Sequence, residues 1–93
     1  MGKVAKQAII RGRVQGVWFR AWTVETAGRL GLAGWVRNRT DGSVELIAEG
    51  SLPAVEALLE ALWDGPTAAQ VESVEVRETR LSNRSGFEKR ATI

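Results

Sequence analysis

The strand-to-helix transition near the N-terminus decides how this chain folds. It is a run of nine residues, Gly12-Arg13-Val14-Gln15-Gly16-Val17-Trp18-Phe19-Arg20. Glycine lets a backbone bend tightly and approach a ligand without a Cβ in the way. The first N–H groups of a helix have no intrahelical acceptor and carry part of the helix dipole, so they attract anions. The run therefore predicts a tight loop that leaves a strand, enters a helix and can bind a phosphoryl group.

Hydrophobic periodicity predicts the elements around this loop. Residues 6–15 alternate between apolar and polar, as a half-buried strand does, and apolar residues recur at helical spacing from Phe19 to Leu30. An Asp41-Gly42 turn joins predicted strands at residues 34–37 and 43–49. A second helix follows, with Ser51 as N-cap, Pro53 in its first turn and an apolar stripe of Leu52, Val55, Leu58, Leu59, Leu62 and Trp63.

Two more strands complete the predicted order. Residues 71–80 read as a strand with Val74 and Val76 pointing inward, and residues 87–92 read as a short last strand. This order predicts an α+β fold, the ferredoxin-like βαββαβ sandwich, with an antiparallel sheet covered on one face by two helices. We expect residues 1–93 to form a single domain, because single domains typically run to about 100–150 residues.

Composition narrows the chemistry. The net charge is +2, which favours a polyanionic partner only weakly. The chain has no cysteine, which excludes thiolate chemistry, and no histidine, the commonest general base and metal ligand. No apolar run approaches the roughly 20 residues of a membrane span. We therefore expect a cytoplasmic protein with no membrane partner, no metal and no cofactor.

A second motif, Gly34-Trp35-Val36-Arg37-Asn38, supplies the other polar group of the predicted site. In the βαββαβ plan the end of the second strand lies at the same sheet edge as the first loop, which brings Asn38 toward that loop. An asparagine amide both donates and accepts hydrogen bonds, so it can hold a water beside a bound phosphorus. An asparagine at a strand end also commonly bonds its own backbone in the turn. The sequence leaves both interpretations open.

The leaving group decides which reaction so sparse a site can run. Arg20 offers a permanent, forked positive charge suited to phosphate. A phosphomonoester expels an alkoxide whose parent alcohol has a pKa of roughly 15, so it benefits from a general acid or a metal. An acyl phosphate expels a carboxylate with a pKa of about 4, which leaves without a proton. Positioning and charge stabilisation then carry most of the catalysis, and the acyl phosphate is favoured.

Two signatures make the chain resemble the acylphosphatase family over essentially its whole length. The first signature is matched by Gly12, Val14, Gln15, Gly16, Val17, Phe19 and Arg20, and the second by Gly34, Trp35, Val36, Asn38, Gly42, Val44 and Gly50. The resemblance implies a metal-free hydrolase of the carboxyl-phosphate bond, in which the substrate's own phosphate helps to take the proton of the water. It implies Arg20 and Asn38 as the catalytic residues, with Asn38 orienting the water. It implies phosphate binding by Gln15, Gly16, Val17, Trp18, Phe19 and Arg20.

The remaining distinctive residues receive simpler interpretations. Lys89 stands where the family's last strand has an apolar residue, which we expect to affect edge-strand packing rather than chemistry. We expect Trp63 in the core, Trp22 beneath the loop, and Trp18 and Trp35 pointing away from the core, where they can border the acyl group. The charged residues are predicted to be a solvated basic rim, formed by Arg11, Arg13, Arg37 and Arg39, and two exposed strand carboxylates, Glu45 and Glu49.

Other classes of function remain as alternatives. The same fold serves RNA-recognition domains, which place aromatic residues on central strands to stack bases. Here residues 43–49 offer two carboxylates and no aromatic side chain on the exposed face, which disfavours RNA. A non-catalytic anion-binding module, or an acylphosphatase-like domain that handles carbamoyl phosphate in larger hydrogenase-maturation proteins, is the other alternative. We expect a monomer that binds small acyl phosphates and inorganic phosphate but no nucleic acid.

Overall fold

The strands and helices follow each other in the predicted order in the computed structural model, which describes residues 2–93. The elements are β1 Val4–Arg13, α1 Phe19–Arg29, β2 Ala33–Asn38, β3 Val44–Gly50, α2 Leu52–Leu62, β4 Gln70–Glu78 and β5 Phe87–Lys89. The predicted boundaries differ from these by up to three residues, because the apolar alternation continues a little beyond or stops short of the paired backbone. Within residues 2–93, neither helix is long and apolar enough to cross a membrane.

The five strands form one sheet in the order β4-β1-β3-β2-β5. The first four are antiparallel neighbours, whereas β5 runs parallel to β2, with Val36 opposite Lys89. The predicted α+β, βαββαβ fold is confirmed, but the sheet is mixed rather than wholly antiparallel. The difference arises because residues 79–86 lead the chain from one edge of the sheet to the other and reverse its direction.

The hydrophobic core lies between the sheet and the two helices. Side chains that are neighbours across β1, β3 and β2, such as Ala8, Leu46 and Val36, are fully buried beneath the helices. Helix α1 packs on β2 and β5, and α2 packs on β1 and β3. The division matters for the site, since α1 begins directly after the glycine-containing loop.

Three predicted core residues lie outside this core. Trp63 is 53% exposed and Leu52 is 43% exposed, because the buried stripe of α2 is narrower than predicted and consists of Val55, Leu58 and Leu62. Trp63 follows Leu62 directly and so projects about 100° away from it around the helix axis. Val76 is 44% exposed because β4 is an edge strand that neither helix covers in the described chain.

The side chains on the open face of the sheet are more buried and more fully paired than predicted. Glu45, expected to be exposed, is only 7% exposed and accepts hydrogen bonds from Gln7 Nε2 at 2.7 Å and Arg37 Nε at 2.9 Å. The Arg37 guanidinium also lies over the Trp35 ring at 4.5 Å, and Arg90 lies over the same ring at 5.1 Å. The predictions of an exposed Glu45 and a solvated Arg37 are therefore wrong. Arg37 lies opposite Glu45 on the neighbouring strand, where its guanidinium bonds the carboxylate and covers the Trp35 ring.

Glu49 anchors the connection between β4 and β5. It is 3% exposed, not exposed as predicted, and it accepts hydrogen bonds from the backbone N–H groups of Ser82 at 2.8 Å and Arg84 at 3.2 Å. The Arg84 guanidinium adds a bond at 2.9 Å. Burial alone raises the pKa of a carboxyl, but these hydrogen bonds outweigh it and hold the pKa of Glu49 below its usual 4.5.

We predict that Glu49→Gln destabilises the fold in a pH-dependent way. Because the folded pKa lies below 4.5, the carboxylate's stabilisation is complete above that pH and is lost as the pH falls through the folded value. We expect the variant to lose about 2 kcal/mol of unfolding free energy at pH 7. Urea denaturation should show this difference shrinking below pH 4.5.

A matched control is Glu78→Gln, since the Glu78 side chain is 86% exposed and its partner, Lys6 Nζ, lies 3.3 Å away. This exposed pair should change the unfolding free energy by less than about 1 kcal/mol at any pH. An equal loss for Glu49→Gln at neutral and acidic pH would contradict the role of the charge.

Candidate active site

The loop between β1 and α1 (residues 14–18) has an unusual backbone. Gly16 has φ 72° and Trp18 has φ 73°, so two left-handed residues lie within three positions. Glycine adopts this conformation freely, but for other residues it costs about 1–2 kcal/mol. Trp18 is also the N-cap of α1, and its side chain makes no capping hydrogen bond. The local sequence thus opens the helix with a strained turn that leaves the helix start uncapped.

This turn exposes a row of backbone donors. Within the described residues 2–93, the first bond of α1 runs from the Trp22 N–H to the Trp18 carbonyl at 3.0 Å, and none of the N–H groups of residues 16–21 donates to an acceptor in the chain. Successive N–H groups in alternating right- and left-handed conformations form a concave anion-binding site. The helix dipole adds partial positive charge at the same place.

Gln15 ties this loop to the hairpin that carries Asn38. Its side-chain amide donates to the carbonyl oxygens of Arg39 at 2.7 Å and Ser43 at 2.8 Å. Asp41 holds the same hairpin turn, accepting from the Ser43 N–H at 2.9 Å and the Ser43 hydroxyl at 2.6 Å. The loop and the end of β2 are therefore held together by two side-chain bonds that sequence analysis did not foresee.

An open cavity of about 330 Å³ lies at this junction. Its volume falls at the lower end of the range typical of small-molecule sites. The lining residues come from the loop, the start of α1, the end of β2 and β5. They are Val14, Gly16, Trp18, Phe19, Arg20, Ala21, Asn38 and Lys89.

The structure thus brings together five of the predicted site residues. Gly16, Trp18, Phe19, Arg20 and Asn38 all line the cavity. The Phe19 ring is buried at the start of α1, 5.5 Å from the ring of Trp22, which is partly buried against the core.

Two predicted phosphate-binding residues, Gln15 and Val17, are not among the lining residues. The Gln15 side chain is occupied by the hairpin, so its contribution to the site is the anchoring just described. Of the two tryptophans expected near an acyl group, Trp18 lines the cavity and is 72% exposed, whereas Trp35 lies buried on the open face of the sheet.

The two polar side chains implied by the sequence are free to meet a ligand. In residues 2–93 the Arg20 guanidinium forms no ion pair, and the Asn38 carboxamide forms no hydrogen bond. The alternative in which Asn38 bonds its own turn is therefore not what the structure has, because Asp41 performs that task.

Lys89 is the residue of the site that sequence analysis missed. It was assigned to edge-strand packing, yet it is exposed and lines the cavity with Arg20 and Asn38. Because β5 runs parallel to β2, Lys89 lies beside Val36 and two residues short of the level of Asn38. No carboxylate is among the lining residues, so the cavity presents two cations and a helix start to a ligand. Within residues 2–93 no group of three or more potential ligating side chains is placed to hold a metal ion.

We predict that the strain at Trp18 reverses the usual effect of alanine and glycine on stability, so that glycine at this position gives the more stable protein. Glycine in an ordinary helix position is about 0.5–1 kcal/mol less stabilising than alanine. At a left-handed position alanine keeps the strain and glycine releases it. In urea denaturation Trp18→Gly should therefore be about 1 kcal/mol more stable than Trp18→Ala.

The matched control for this comparison is Ala21→Gly, in the first turn of the same helix, which should be destabilising in the ordinary way. Trp18 is mostly exposed, so both substitutions remove the same small amount of buried surface. If Trp18→Ala proved the more stable of the pair, the left-handed turn would be excluded in solution.

Comparison with known proteins agrees with this geometry. A family model described as Acylphosphatase matches residues 6–89. An acylphosphatase of Rhizorhabdus wittichii is 46% identical over 91 residues, which cover 98% of this chain and 92% of that protein. The structure of an acylphosphatase from Coxiella burnetii superposes with a TM-score of 0.92 at 38% identity, covering 95% of this chain and 93% of that one.

A longer protein contains a similar unit. The crystal structure of full-length HypF in the phosphate- and nucleotide-bound form matches 98% of this chain but only 12% of its own, with a TM-score of 0.91 and 26% identity. The family assignment rests on the family model and on the relatives that match over nearly the whole length of both chains. The resemblance seen in the two sequence motifs is confirmed, and the chain belongs to the acylphosphatase family.

Proposed function

We propose that the cavity hydrolyses the carboxyl-phosphate bond of acyl phosphates by in-line attack of water. The observation that carries the proposal is the row of six free N–H groups at residues 16–21, with the unpaired Arg20 beside them and the free Asn38 amide across the cavity. Membership of the acylphosphatase family supports the same substrate class. The alternatives of a non-catalytic anion-binding module and an RNA-binding module receive no such support.

The phosphoryl group occupies the row of donors. Its oxygens accept hydrogen bonds from the N–H groups of residues 16–21 and from the Arg20 guanidinium, whose fork matches two phosphoryl oxygens. These donors are fixed before the ligand arrives, because the Gln15 bonds and the Phe19 ring hold the loop in place. Preorganised donors of this kind stabilise the charge of a phosphoryl-transfer transition state without reorganisation.

Asn38 orients the attacking water. Its amide accepts one hydrogen bond from the water, whose oxygen attacks phosphorus on the side opposite the acyl oxygen. The bond between phosphorus and the acyl oxygen breaks, and the carboxylate leaves with the electron pair. The proton of the water passes to a phosphoryl oxygen, so the products are a carboxylate and inorganic phosphate. No general acid is needed, because a carboxylate of pKa about 4 leaves unprotonated.

The organisation of the active chain is part of the proposal. We propose that residues 1–93 act as one domain and as a monomer in the cytoplasm, without a nucleic-acid partner, metal or cofactor. All strands of the described chain belong to one sheet, which supports the single domain. Trp35 lies on the open sheet face that an RNA-recognition domain uses, but it is buried beneath Arg37 and Arg90 and offers no accessible ring for a base to stack on, which supports the absence of RNA.

The first test compares two substrates and one variant. We expect rapid hydrolysis of benzoyl phosphate, followed by ultraviolet absorbance, and slow hydrolysis of p-nitrophenyl phosphate, which needs more help with its leaving group. Asn38→Ala should reduce kcat for benzoyl phosphate by about 10²–10³-fold or more, as does the loss of one preorganised catalytic group elsewhere. The affinity of the variant for inorganic phosphate should stay within about twofold of the parent, because phosphate binds the loop. Full activity of Asn38→Ala would refute the water-orienting role.

The second prediction concerns Arg20. Arg20→Gln removes a charge-assisted bond to the phosphoryl group, so we expect the inhibition constant of inorganic phosphate to rise about 10–100-fold and kcat to fall as well. The matched control is Arg29→Gln, which removes the same charge from the last turn of the same helix. Inhibition measured side by side separates a local contact from a change of net charge. An inhibition constant that is equal in both variants would place the phosphoryl group elsewhere.

A further inference from the structure

We propose that Lys89 selects acyl phosphates whose acyl part carries its own negative charge, such as a carboxylate. This inference rests on the proposed function and names the substrate class of the same cavity. It concerns the acyl end of the substrate, for which the row of N–H donors makes no provision.

The phosphoryl group does not need Lys89. The six N–H groups of residues 16–21 and the five N–H bonds of the Arg20 guanidinium already offer eleven donors to three phosphoryl oxygens. A further cation in an open cavity is therefore free to meet a different group of the ligand. Lys89 lines the same cavity and, within residues 2–93, forms no ion pair and donates no hydrogen bond.

The position of Lys89 on β5 offsets it from Asn38 along the sheet. It lies on β5 in register with Val36, two residues along the strand direction from the level of Asn38, which corresponds to about 7 Å. Strand neighbours in register project to the same face, so Lys89 is on the helix side of the sheet with Asn38. A lysine at this distance reaches a charged group attached to the acyl carbon chain while the phosphoryl group stays in the loop.

The charge distribution around the cavity supports the same substrate. The acidic side chain nearest to Lys89 in sequence, Glu88, points to the opposite face and pairs with Arg90 Nε at 3.0 Å. Lys89 is thus not neutralised by its neighbour. The chain has no carboxylate among the lining residues that would repel a second negative charge on the ligand.

The test uses two matched pairs of compounds. Benzoyl phosphate and 4-carboxybenzoyl phosphate are the substrates, and benzylphosphonate and 4-carboxybenzylphosphonate are non-hydrolysable ligands that report binding alone. The variants are Lys89→Met, which removes the charge and keeps a similar stem, and Lys89→Arg, which keeps the charge. Lys3→Met is the matched control, because it removes one positive charge away from the lining of the cavity.

We expect Lys89→Met to lower kcat/KM for the carboxylated substrate about five- to tenfold and to change that for benzoyl phosphate less than about twofold. Calorimetry should show the same selective loss of affinity for the carboxylated phosphonate. Lys89→Arg should restore most of the preference, and Lys3→Met should leave it intact. The preference should also weaken at high salt.

The outcomes separate this inference from the proposed function. An equal loss of kcat/KM on both substrates in Lys89→Met would show that Lys89 serves the phosphoryl group. An unchanged kcat/KM on both substrates would show that it serves neither end. Either result overturns the inference while hydrolysis of benzoyl phosphate by the parent chain upholds the function. If the parent chain hydrolysed neither substrate, the function would fail, and equal affinity for the two phosphonates would reject the role of Lys89 independently.

Discussion

The two hydrogen bonds from the Gln15 amide are the constraint on which the rest of the site depends. Gln15 belongs to the loop after β1, and its acceptors, the carbonyls of Arg39 and Ser43, belong to the hairpin between β2 and β3. One side chain therefore joins the two segments that carry the proposed phosphate donors and the amide proposed to orient water. Carbonyls at a turn need donor partners, so the same bonds stabilise the hairpin and position the loop.

The loop of residues 14–18 has a strained backbone at the proposed ligand site. The left-handed backbone of Trp18 is unfavourable by itself, and the N–H groups of residues 16–21 have no acceptor within the described chain. Deeper in the same helix the polar groups are satisfied, as when the buried Thr23 hydroxyl donates to the Phe19 carbonyl at 2.8 Å. Since an anion satisfies the free donors only in the folded state, its binding stabilises the native chain by an amount that grows with the logarithm of its concentration once this exceeds Kd. Fold stability and ligand binding are therefore linked through this loop.

Sequence analysis succeeded where the information is local. Hydrophobic periodicity, a hairpin turn and an N-cap at Ser51 were sufficient to predict the order of the strands and helices. The two glycine motifs were sufficient to predict that Asn38 lies near the first loop. It failed where the outcome depends on which side chains face each other across a strand pair, or on a pairing between strands distant in sequence. Glu45 is buried because Arg37 lies across the strand pair, and Lys89 reaches the cavity because β5 adds in parallel to β2. Neither pairing leaves a periodic signal in the chain, and Lys89 in particular was read as a packing defect.

The small net charge of the chain conceals an uneven distribution. Of the acidic side chains, Glu45, Glu49 and Glu88 pair with Arg37, Arg84 and Arg90, and each of these pairs is away from the cavity lining. Because no carboxylate is among the lining residues, Arg20 and Lys89 remain uncompensated in the cavity where α1 also begins. A cavity in which cations and a helix start act together attracts a dianion far more strongly than a net charge of +2 indicates. Local pairing, not total charge, therefore decides what this chain binds.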